Sequence, residues 1–509
     1  MRFLFHSVAA FGITFAPAAG PGFVLEHSPG PEKYLASTMP GGFAVFDYNN
    51  DGRLDLFFAN GAELPSYRKS GPKYWNRLYR NDGNFQFTDV TEKAGLTGEG
   101  FAFGAAAADY DNDGFVDLFV PALPGSKLYR NKGDGTFAET PLPASGPWTI
   151  AGGWFDFDRD GRQDLFVVNY LNWSPSNNPW CGDRAKNLRV YCHPRHFQPA
   201  ANQLFRNKAD GTFEDVGKSA GIYKFPGKGM SVAIADYDAD GYLDAFVTND
   251  GLPNSLFRNK GNGTFEETAF AAGVALPDRG LAISSMGTDF RDYDNDGRPD
   301  LIVTALAGES FPLFRNLGKG QFQESTSTAR LAPLVARKSG WGVAIADFDN
   351  DGNKDLFTAN SHVNDMIAST SSDKYLLSNS VFRNKDGKSF ADVTGDSQEL
   401  ATRSAAHRGA VTADLDGDGR LDVIVTALGG PAQIWRNTTV NGNHWAAVPA
   451  PLNAVVAIGN QTNPASSSTG YSSSAIGPVH FGLGAAASPV EASITVPGQT
   501  AKKIRLTPQ

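Results

Sequence analysis

Seven short acidic segments of this chain have the residue types and the spacing of cation-binding loops. Each follows the pattern D-x-[DN]-x-D-G-x-x-D, and the seven begin at positions 47, 109, 156, 236, 292, 347 and 414. Oxygen-bearing side chains at alternate positions of a tight turn can converge on one ion, and Ca²⁺ accepts about six to eight oxygen ligands. The glycine at the sixth position permits a turn that a residue with a Cβ resists. The pattern predicts up to seven bound Ca²⁺ ions.

Five residues of each loop are predicted ligands: the side chains at the first, third, fifth and ninth positions and the main-chain carbonyl at the seventh. The ninth-position carboxylate distinguishes these loops from the EF-hand, whose closing glutamate is the twelfth residue. Crowded carboxylates repel one another unless a cation neutralises them, so we expect structural ions that do no chemistry of their own. Loop by loop, the predicted ligands are Asp47, Asn49, Asp51, Arg53 and Asp55; Asp109, Asp111, Asp113, Phe115 and Asp117; Asp156, Asp158, Asp160, Arg162 and Asp164; Asp236, Asp238, Asp240, Tyr242 and Asp244; Asp292, Asp294, Asp296, Arg298 and Asp300; Asp347, Asp349, Asp351, Asn353 and Asp355; Asp414, Asp416, Asp418, Arg420 and Asp422.

A second element repeats seven times between the loops. It is a pair of aromatic or aliphatic residues followed by Arg-Asn, and it ends at Asn81, Asn131, Asn207, Asn259, Asn316, Asn384 and Asn437. Short apolar runs flank the loops, and a Gly-rich turn with a following Phe comes after most Arg-Asn pairs, which are strand and hairpin signals. Each unit thus holds about four strands, the content of one propeller blade. The sequence predicts an all-β chain: a seven-bladed β-propeller over residues 1–437 and a small C-terminal β domain over residues 438–509.

These repeats resemble those of FG-GAP or VCBS repeat proteins, in which integrin α-subunit-like calcium loops sit between the strands of a β-propeller. The chain resembles the cartilage acidic protein family more closely, because its final segment is similar to the C-terminal ASPIC/UnbV module of that family. The matching residues are Asn-His-Trp at 443–445, Ile-Gly at 458–459 and His-Phe-Gly-Leu-Gly at 480–484. Residues 496–498 are Val-Pro-Gly where the family usually has a Trp-Pro-Ser-Gly-like turn. The resemblance implies an extracellular or cell-envelope binding or adhesion protein with structural calcium.

The acidic loops hold half of the acidic residues of the chain. Three acids in the first loop and four in each of the other six account for 27 of the 54 Asp and Glu residues, against 45 Lys and Arg. Seven divalent ions would change the formal charge from −9 to +5. A weakly basic protein suits an acidic glycan, although scattered, solvated bases explain the composition equally well. We find no dense Lys/Arg cluster of the kind that indicates nucleic acid.

The two cysteines lie in a long insertion of the third unit, residues 172–201. Cys181 and Cys192 can form a disulfide that closes a loop without sheet support, and an exported protein would keep it oxidised. The alternative is a metal site with His193 and His196, although standard zinc sites do not use this spacing. Extracellular calcium modules bind with affinities of about 10⁻⁴ to 10⁻³ M, which is useful only outside the cytosol. We therefore expect a secreted, periplasmic or cell-surface protein.

The N-terminus has two interpretations. A basic residue, an apolar stretch and Ala-Pro-Ala at positions 16–18 outline a signal peptide over residues 1–20. Residues 5–15 also echo the outer strand of other units, and the seventh unit lacks that strand after Asn437, so they can close the ring and remove an exposed sheet edge. No apolar run reaches the length of a membrane span, about 18 residues.

Five polar residues outside the loops are candidate ligand-binding groups: Asp289, Arg291, His362, His407 and Arg408. Asp289 and Arg291 stand where most other units carry small or apolar residues, and strand alternation places both on one face that can line the central channel. Arg291 can hold a carboxylate or sulfate, or the pair can simply neutralise itself. The two histidines and Arg408 can reach a channel mouth or serve the fold.

Catalytic motifs are missing from the sequence: we find no G-x-S-x-G, no H-E-x-x-H and no G-x-x-x-x-G-K. This favours a binding module for an extracellular protein or glycan, with Tyr170, Trp173 and Trp180 available on the insertion. The alternative is a calcium-dependent carbohydrate-active enzyme, of the polysaccharide lyase or sugar dehydratase type, that uses the propeller channel. Such an enzyme needs a base and an electrophile in one pocket.

Overall fold

Seven sheets follow one another along the chain in the computed structural model, which describes residues 12–509, and each contains a set of four antiparallel strands. We call them blades 1 to 7. From the first to the fourth strand, they are Phe43–Phe46, Asp55–Phe58, Arg77–Gly83 and Gln86–Asp89; Ala106–Ala108, Asp117–Val120, Lys127–Asn131 and Phe137–Thr140; Thr149–Phe155, Asp164–Asn169, Gln203–Asn207 and Phe213–Asp215; Gly229–Ala235, Asp244–Asn249, Ser255–Asn259 and Phe265–Glu267; Thr288–Arg291, Asp300–Val303, Leu313–Gly318 and Gln321–Glu324; Gly340–Ala346, Asp355–Asn360, Ser380–Lys385 and Ser389–Asp392; His407–Ala413, Asp422–Ala427, Gln433–Asn437 and Phe15–Ala18.

The blades form a closed ring. The first strands of consecutive blades contact one another, and the first strand of blade 7 contacts that of blade 1. These strands are therefore the innermost ones. Each acidic loop joins the first strand of its blade to the second, so all seven loops lie at the same end of the ring, which we call the loop end. This architecture confirms the predicted propeller fold.

The last strand of blade 7 comes from the other end of the chain. Phe15–Ala18 pairs antiparallel with the third strand of blade 7, with Phe15 opposite Asn437. Phe15 is buried and its ring packs edge-on against Phe348, with the centroids 5.4 Å apart. The strand begins where the predicted closing segment, residues 5–15, ends, and it contains the Ala-Pro-Ala that outlined a cleavage site. Residues 1–11, on which most of both N-terminal predictions fall, lie outside the described residues.

The apolar faces of neighbouring blades form the core. Between blades 2 and 3, for example, Trp154 is fully buried, stacks on Tyr110 and donates its indole N–H to the carbonyl of Ala106 at 3.1 Å. Similar clusters fill most other gaps between blades, including that between blades 7 and 1. A larger cluster fills the gap between blades 3 and 4 and extends to the end of the ring opposite the loops, where connecting segments cover the channel.

Residues 438–509 add β structure over the loop end. His444–Val448 pairs with Val479–Gly484, and a four-stranded sheet has the order Gln461–Pro464, Val455–Ile458, Val490–Thr495 and Lys502–Leu506. Two further strands, Ser468–Thr469 and Ser473–Ala475, leave this domain and join blade 1, where the second pairs in parallel with Phe43–Phe46. The tail thus belongs partly to a separate β domain and partly to the propeller.

The remaining elements are short. Two-stranded sheets join Phe101–Ala102 to Ala122–Leu123 and Cys181–Asp183 to Leu188–Val190. The α-helices are Thr91–Ala94, Ala269–Ala272, Ala332–Val335 and Gln398–Thr402, and the 3₁₀ helices are Leu35–Thr38, Pro72–Tyr74, Pro175–Asn177, Pro194–His196, Ile222–Lys224, Ile367–Ser369 and Thr394–Asp396. Among residues 12–509, no helix has the length and apolar character needed to cross a membrane.

Candidate metal centres

The seven acidic loops share one set of main-chain hydrogen bonds. In the second loop, Asp109 accepts the N–H of Asp113 at 3.1 Å and that of Gly114 at 2.9 Å, and Asp113 accepts the N–H of Phe115 at 3.0 Å. The same three bonds recur in every other loop. Each sixth-position glycine has a positive φ, between 81° and 92°, which requires a residue without a Cβ. The loops are therefore preformed by their own sequence.

The ninth-position aspartate fastens each loop to its blade. In the second loop, Asp117 is fully buried and accepts the N–H of Tyr110 at 3.0 Å on one oxygen and that of Asn131 at 2.7 Å on the other. Burial raises the pKa of these carboxyls: to about 7 for Asp55, to about 8 for Asp117, Asp164, Asp300 and Asp422, and well above the usual value for Asp244 and Asp355. A nearby cation would favour the ionised form of all seven.

The third-position side chain shows most clearly that the loop can accommodate a cation. In six loops its Oδ1 is buried and has no hydrogen-bond partner among residues 12–509, at Asn49, Asp111, Asp158, Asp294, Asp349 and Asp416. Buried acceptors in proteins are normally paired. Oxygens of the first, third and ninth positions lie within 4.8 Å of one another in loops 2 to 5, as do those of the first, third and fifth positions in loop 6. The candidate ligand atoms are all oxygens, which suits Ca²⁺ and disfavours metals that prefer nitrogen or sulfur ligands. The residues present fit the predicted ion.

The arginines of the Arg-Asn element bind the same carboxylates from outside. In loops 2 to 7 each forms an ion pair with Oδ2 of the third-position Asp, and all six also reach the fifth-position Asp; they are Arg130, Arg206, Arg258, Arg315, Arg383 and Arg436. In loop 1 the third residue is Asn49, and Arg80 pairs with Asp82 instead. This role was not predicted, although the recurrence of Arg beside Asn in all seven units was its signal. The arginine occupies one oxygen and leaves the other for the loop centre.

The asparagines of the same element link each blade to the one before it. The side-chain amide of Asn131 donates to the carbonyl of Tyr48, the second residue of the loop in blade 1, at 2.8 Å. Equivalent bonds of 2.8 or 2.9 Å connect every consecutive pair, and Asn81 of blade 1 donates to Leu415 of blade 7. Because each Asn also donates its main-chain N–H to the ninth-position Asp of its own loop, loop geometry and ring closure are coupled.

The five other candidate residues do not form one site. Asp289 and Arg291 lie at the loop end of blade 5, whereas His407 and Arg408 begin the first strand of blade 7 at the opposite end. Asp289 is buried, which raises its pKa to about 6, and its carboxylate lies 3.7 Å from the guanidinium of Arg291. These two residues are thus separated from the other three by the depth of the ring.

The group at the opposite end is built into the fold. Arg408 is fully buried, stacks on Trp341 at 3.8 Å and donates to the carbonyls of Thr38 at 2.9 Å and His407 at 2.8 Å. Burial lowers the pKa of His407 to about 4, and this ring contacts the carbonyl of Asn360 at 3.2 Å. Burial also lowers the pKa of His362, which accepts the N–H of Asn364 at 3.0 Å. These contacts position connecting segments across the channel.

The channel itself contains residues 466–477 of the tail, which we call the channel segment. Its Gly470 accepts the N–H of Thr288 at 3.1 Å, Ser474 accepts that of Ala107 at 3.0 Å, and the phenol of Tyr471 donates to the carbonyl of Met39 at 2.7 Å. Residues 467–474 are buried. The serine-rich stretch therefore fills the channel that the alternative function, a carbohydrate-active enzyme, would have used.

The insertion of the third unit differs from its prediction in one respect. Cys181 and Cys192 form the predicted disulfide, which excludes the alternative metal site with His193 and His196, since disulfide sulfurs are not thiolates. Tyr170 and Trp173 are buried and belong to the core at that end of the ring, so they are not available as a binding face. Trp180 is partly exposed, with the guanidinium of Arg184 4.6 Å from its ring. The presence of aromatic residues in the sequence did not show which of them would be buried in the core that covers the channel.

A ring of four-stranded blades with one oxygen-rich loop in each defines this chain as a β-propeller built from acidic-loop repeats. A family model described as FG-GAP-like repeat matches residues 47–120, 124–167, 196–247, 236–303 and 292–358. These stretches make up more than half of the chain, which belongs to the FG-GAP-like repeat family.

The chain is also similar in sequence to curated proteins, over most of its length. The chain is 26% identical to Cartilage acidic protein 1 of Mus musculus over 435 residues, which is 80% of this chain and 61% of the mouse protein. It is 25% identical to the Homo sapiens protein of that name over 433 residues, 80% of this chain and 59% of the human one. The chain thus spans about three-fifths of the length of these relatives. Among solved structures, "YCF48 bound to D1 peptide" is similar with a TM-score of 0.45 and 8% identity, over 84% of this chain and 99% of that one.

Proposed function

We propose that this protein is a calcium-stabilised extracellular binding protein in which the ions are structural. The observation that supports it best is the buried, unpartnered Oδ1 at the third position of six loops. A buried, unpaired oxygen beside two or three carboxylates destabilises the loop, and a bound cation would remove this cost.

The ions would act on the whole ring. Each loop connects the two inner strands of its blade, and the Asn that holds its ninth-position carboxylate also holds the preceding blade. Neutralising the loop would remove the repulsion between its carboxylates. Because the free energy of ion binding adds to that of folding, calcium would raise the stability of the propeller.

An extracellular location agrees with the disulfide and with the similarity to Cartilage acidic protein 1. Sites of this kind in extracellular modules bind calcium at about 10⁻⁴ to 10⁻³ M and would fill only where calcium is plentiful. The calcium-loaded protein would carry a formal charge of +5 rather than −9, which favours an acidic protein or glycan partner.

The test is a calcium titration by calorimetry, together with thermal unfolding in EDTA and in 5 mM Ca²⁺. We expect several ions per chain and a melting temperature at least about 10 °C higher in calcium, by mass action on the folded state. Asp111→Ala should reduce the number of bound ions by one. The matched control, Asp134→Ala, changes an exposed Asp that only caps a hairpin turn and should leave that number unchanged. Equal melting temperatures in both buffers would overturn the proposal.

A further inference from the structure

A cavity lies between the C-terminal domain and part of the loop end of the propeller. Its volume is about 650 Å³, which lies in the range of ligand pockets and at a domain boundary, where such pockets are common. Strands of the C-terminal domain supply one wall, through Trp445, Gln461 and Asn463, and the inner strands of blades 5 to 7 supply another. At the rim, Gly52, Arg53, Gly477 and Pro478 are exposed, so the cavity opens beside loop 1.

The cavity contains a charged residue at a position where the other blades carry apolar residues. Arg291 directly precedes the first Asp of loop 5; the residues at the same position of the other blades are Phe46, Ala108, Phe155, Ala235, Ala346 and Ala413. All six are apolar and buried. A mostly buried arginine in place of an apolar residue has a desolvation cost that normally demands a close, bidentate partner.

That partner is missing within residues 12–509. Arg291 donates to the carbonyl of its neighbour Phe290 at 3.1 Å, and its ion pair with Asp289 is long, at 3.7 Å. Asp289 also accepts the hydroxyl of Thr469, at 3.4 Å. The planar guanidinium therefore retains donors for a second anion, and Arg suits carboxylate and sulfate groups best.

Other lining residues indicate the rest of the ligand. Asn463 lines the cavity and donates its amide N–H to the carbonyl of His480 at 2.9 Å. Thr469 and Gln461 add further polar groups, and Trp445 provides an aromatic surface. An acidic sugar has groups that suit this lining. Its hydroxyls can bond to the amides and the threonine hydroxyl, its apolar ring face can pack on the indole, and its acid group can pair with the guanidinium.

We infer that this cavity binds a sugar-sized molecule bearing a carboxylate or sulfate, with Arg291 pairing the anion. The inference rests on the proposed function, because the aspartates of loops 1, 6 and 7 that line the cavity repel an anion unless calcium neutralises them. Lys354, nearly buried between loops 5 and 6, adds positive charge to the same end.

The experiment is calorimetry in 5 mM Ca²⁺ with D-glucuronate, N-acetylneuraminate and glucose 6-sulfate as probes and D-glucose as the neutral comparison. We expect at least one acidic sugar to bind and glucose not to. Arg291→Met should weaken that binding about tenfold or more, as loss of a charge-assisted pair does. Arg337→Met, at an exposed arginine, is the matched control and should bind like the wild type. Comparing the affinities of the three acidic sugars shows whether the cavity prefers a carboxylate or a sulfate.

A second variant keeps the inference testable if Arg291→Met does not fold. Ala450 lines the cavity from the tail domain, so Ala450→Phe should block binding while leaving Arg291 in place. Failure of all three acidic probes at 10 mM, or equal binding by wild type, Arg291→Met and Ala450→Phe, overturns the inference. Calcium binding without acid-sugar binding would refute this inference alone. Binding of an acidic sugar that depends on Arg291, in a protein without calcium affinity, would refute the proposed function alone.

Discussion

The two carboxylate oxygens of each third-position aspartate have different surroundings. Oδ2 pairs with the arginine of the Arg-Asn element, and in most loops Oδ1 is left buried and unpartnered. The arginine limits repulsion in the ion-free loop without occupying the atom that an ion needs. Loop 1, with Asn49 at this position and Arg80 paired elsewhere, lacks both charges, so we expect it to be the weakest site.

Also at the residue scale, the asparagine between blades should contribute strongly to stability. Asn316 is fully buried, donates to the carbonyls of Tyr237 at 2.8 Å and Pro299 at 3.1 Å, and accepts the N–H of Gly318 at 2.8 Å. Asn316→Ala leaves these groups unpaired and should lower the free energy of unfolding by about 3 kcal/mol. Chemical denaturation in calcium measures this.

The control for that change is Asn262→Ala, at an exposed hairpin asparagine that only accepts from Thr264. It should cost less than about 1 kcal/mol, the usual range of a surface change. If both variants lost the same stability, the bond between blades would have no special importance.

At the scale of elements, the channel segment is held by close backbone contact. Gly42 and Gly104 line the channel, and a Cβ on either would overlap the carbonyl oxygen of Ser472. Since the segment is also rich in serine and glycine, it can hydrogen-bond to the inner strands at short range. This explains why a stretch of low sequence complexity is buried.

Gly104→Ala should therefore displace the channel segment. We expect a lower melting temperature and faster cleavage by a nonspecific protease within residues 466–477, because backbone atoms of Ser472 must move to admit the methyl group. Mass spectrometry of the digest locates the cut. Gly71→Ala is the matched control, since a Cβ there meets nothing within 4 Å, and it should digest like the wild type. Identical digestion of Gly104→Ala would show that the segment is not tightly held.

At the scale of the whole molecule, the seven buried ninth-position carboxyls predict how stability without metal depends on pH. Burial raises their pKa values in the folded chain, to about 8 for Asp117 and Asp164, whereas an unfolded Asp titrates near 4. The folded state then binds more protons than the unfolded state between these values, so its stability decreases as the pH rises.

In EDTA, we accordingly expect the melting temperature to fall as the pH is raised from 6.5 to 8.5. In 5 mM Ca²⁺ this dependence should be weaker, because bound ions favour the ionised carboxylates. Differential scanning calorimetry at matched ionic strength measures both series. A melting temperature that rises with pH in EDTA would contradict the assignment of raised pKa values to these groups.

The sequence alone determined the parts of this protein that depend on local order. The spacing of the acidic loops fixes their turns, because the three recurring hydrogen bonds within each turn join residues at most five positions apart. Recurrence of the Arg-Asn element gave the number of units, and four strands per unit gave the propeller. The pairing of Cys181 with Cys192 was accessible for the same reason.

Tertiary structure decided what depends on residues distant in the chain. The partner of Asn81 is Leu415, the closing strand Phe15–Ala18 pairs with residues 434–437, and the channel is filled by residues near 470. Tyr170 and Trp173 belong to the core because they help to cover the channel. Asp289 and Arg291 line a cavity that also has residues of the C-terminal domain in its wall. Periodicity repeats identically in every blade and so cannot specify which segment closes the ring or enters its centre; only packing against particular neighbours does.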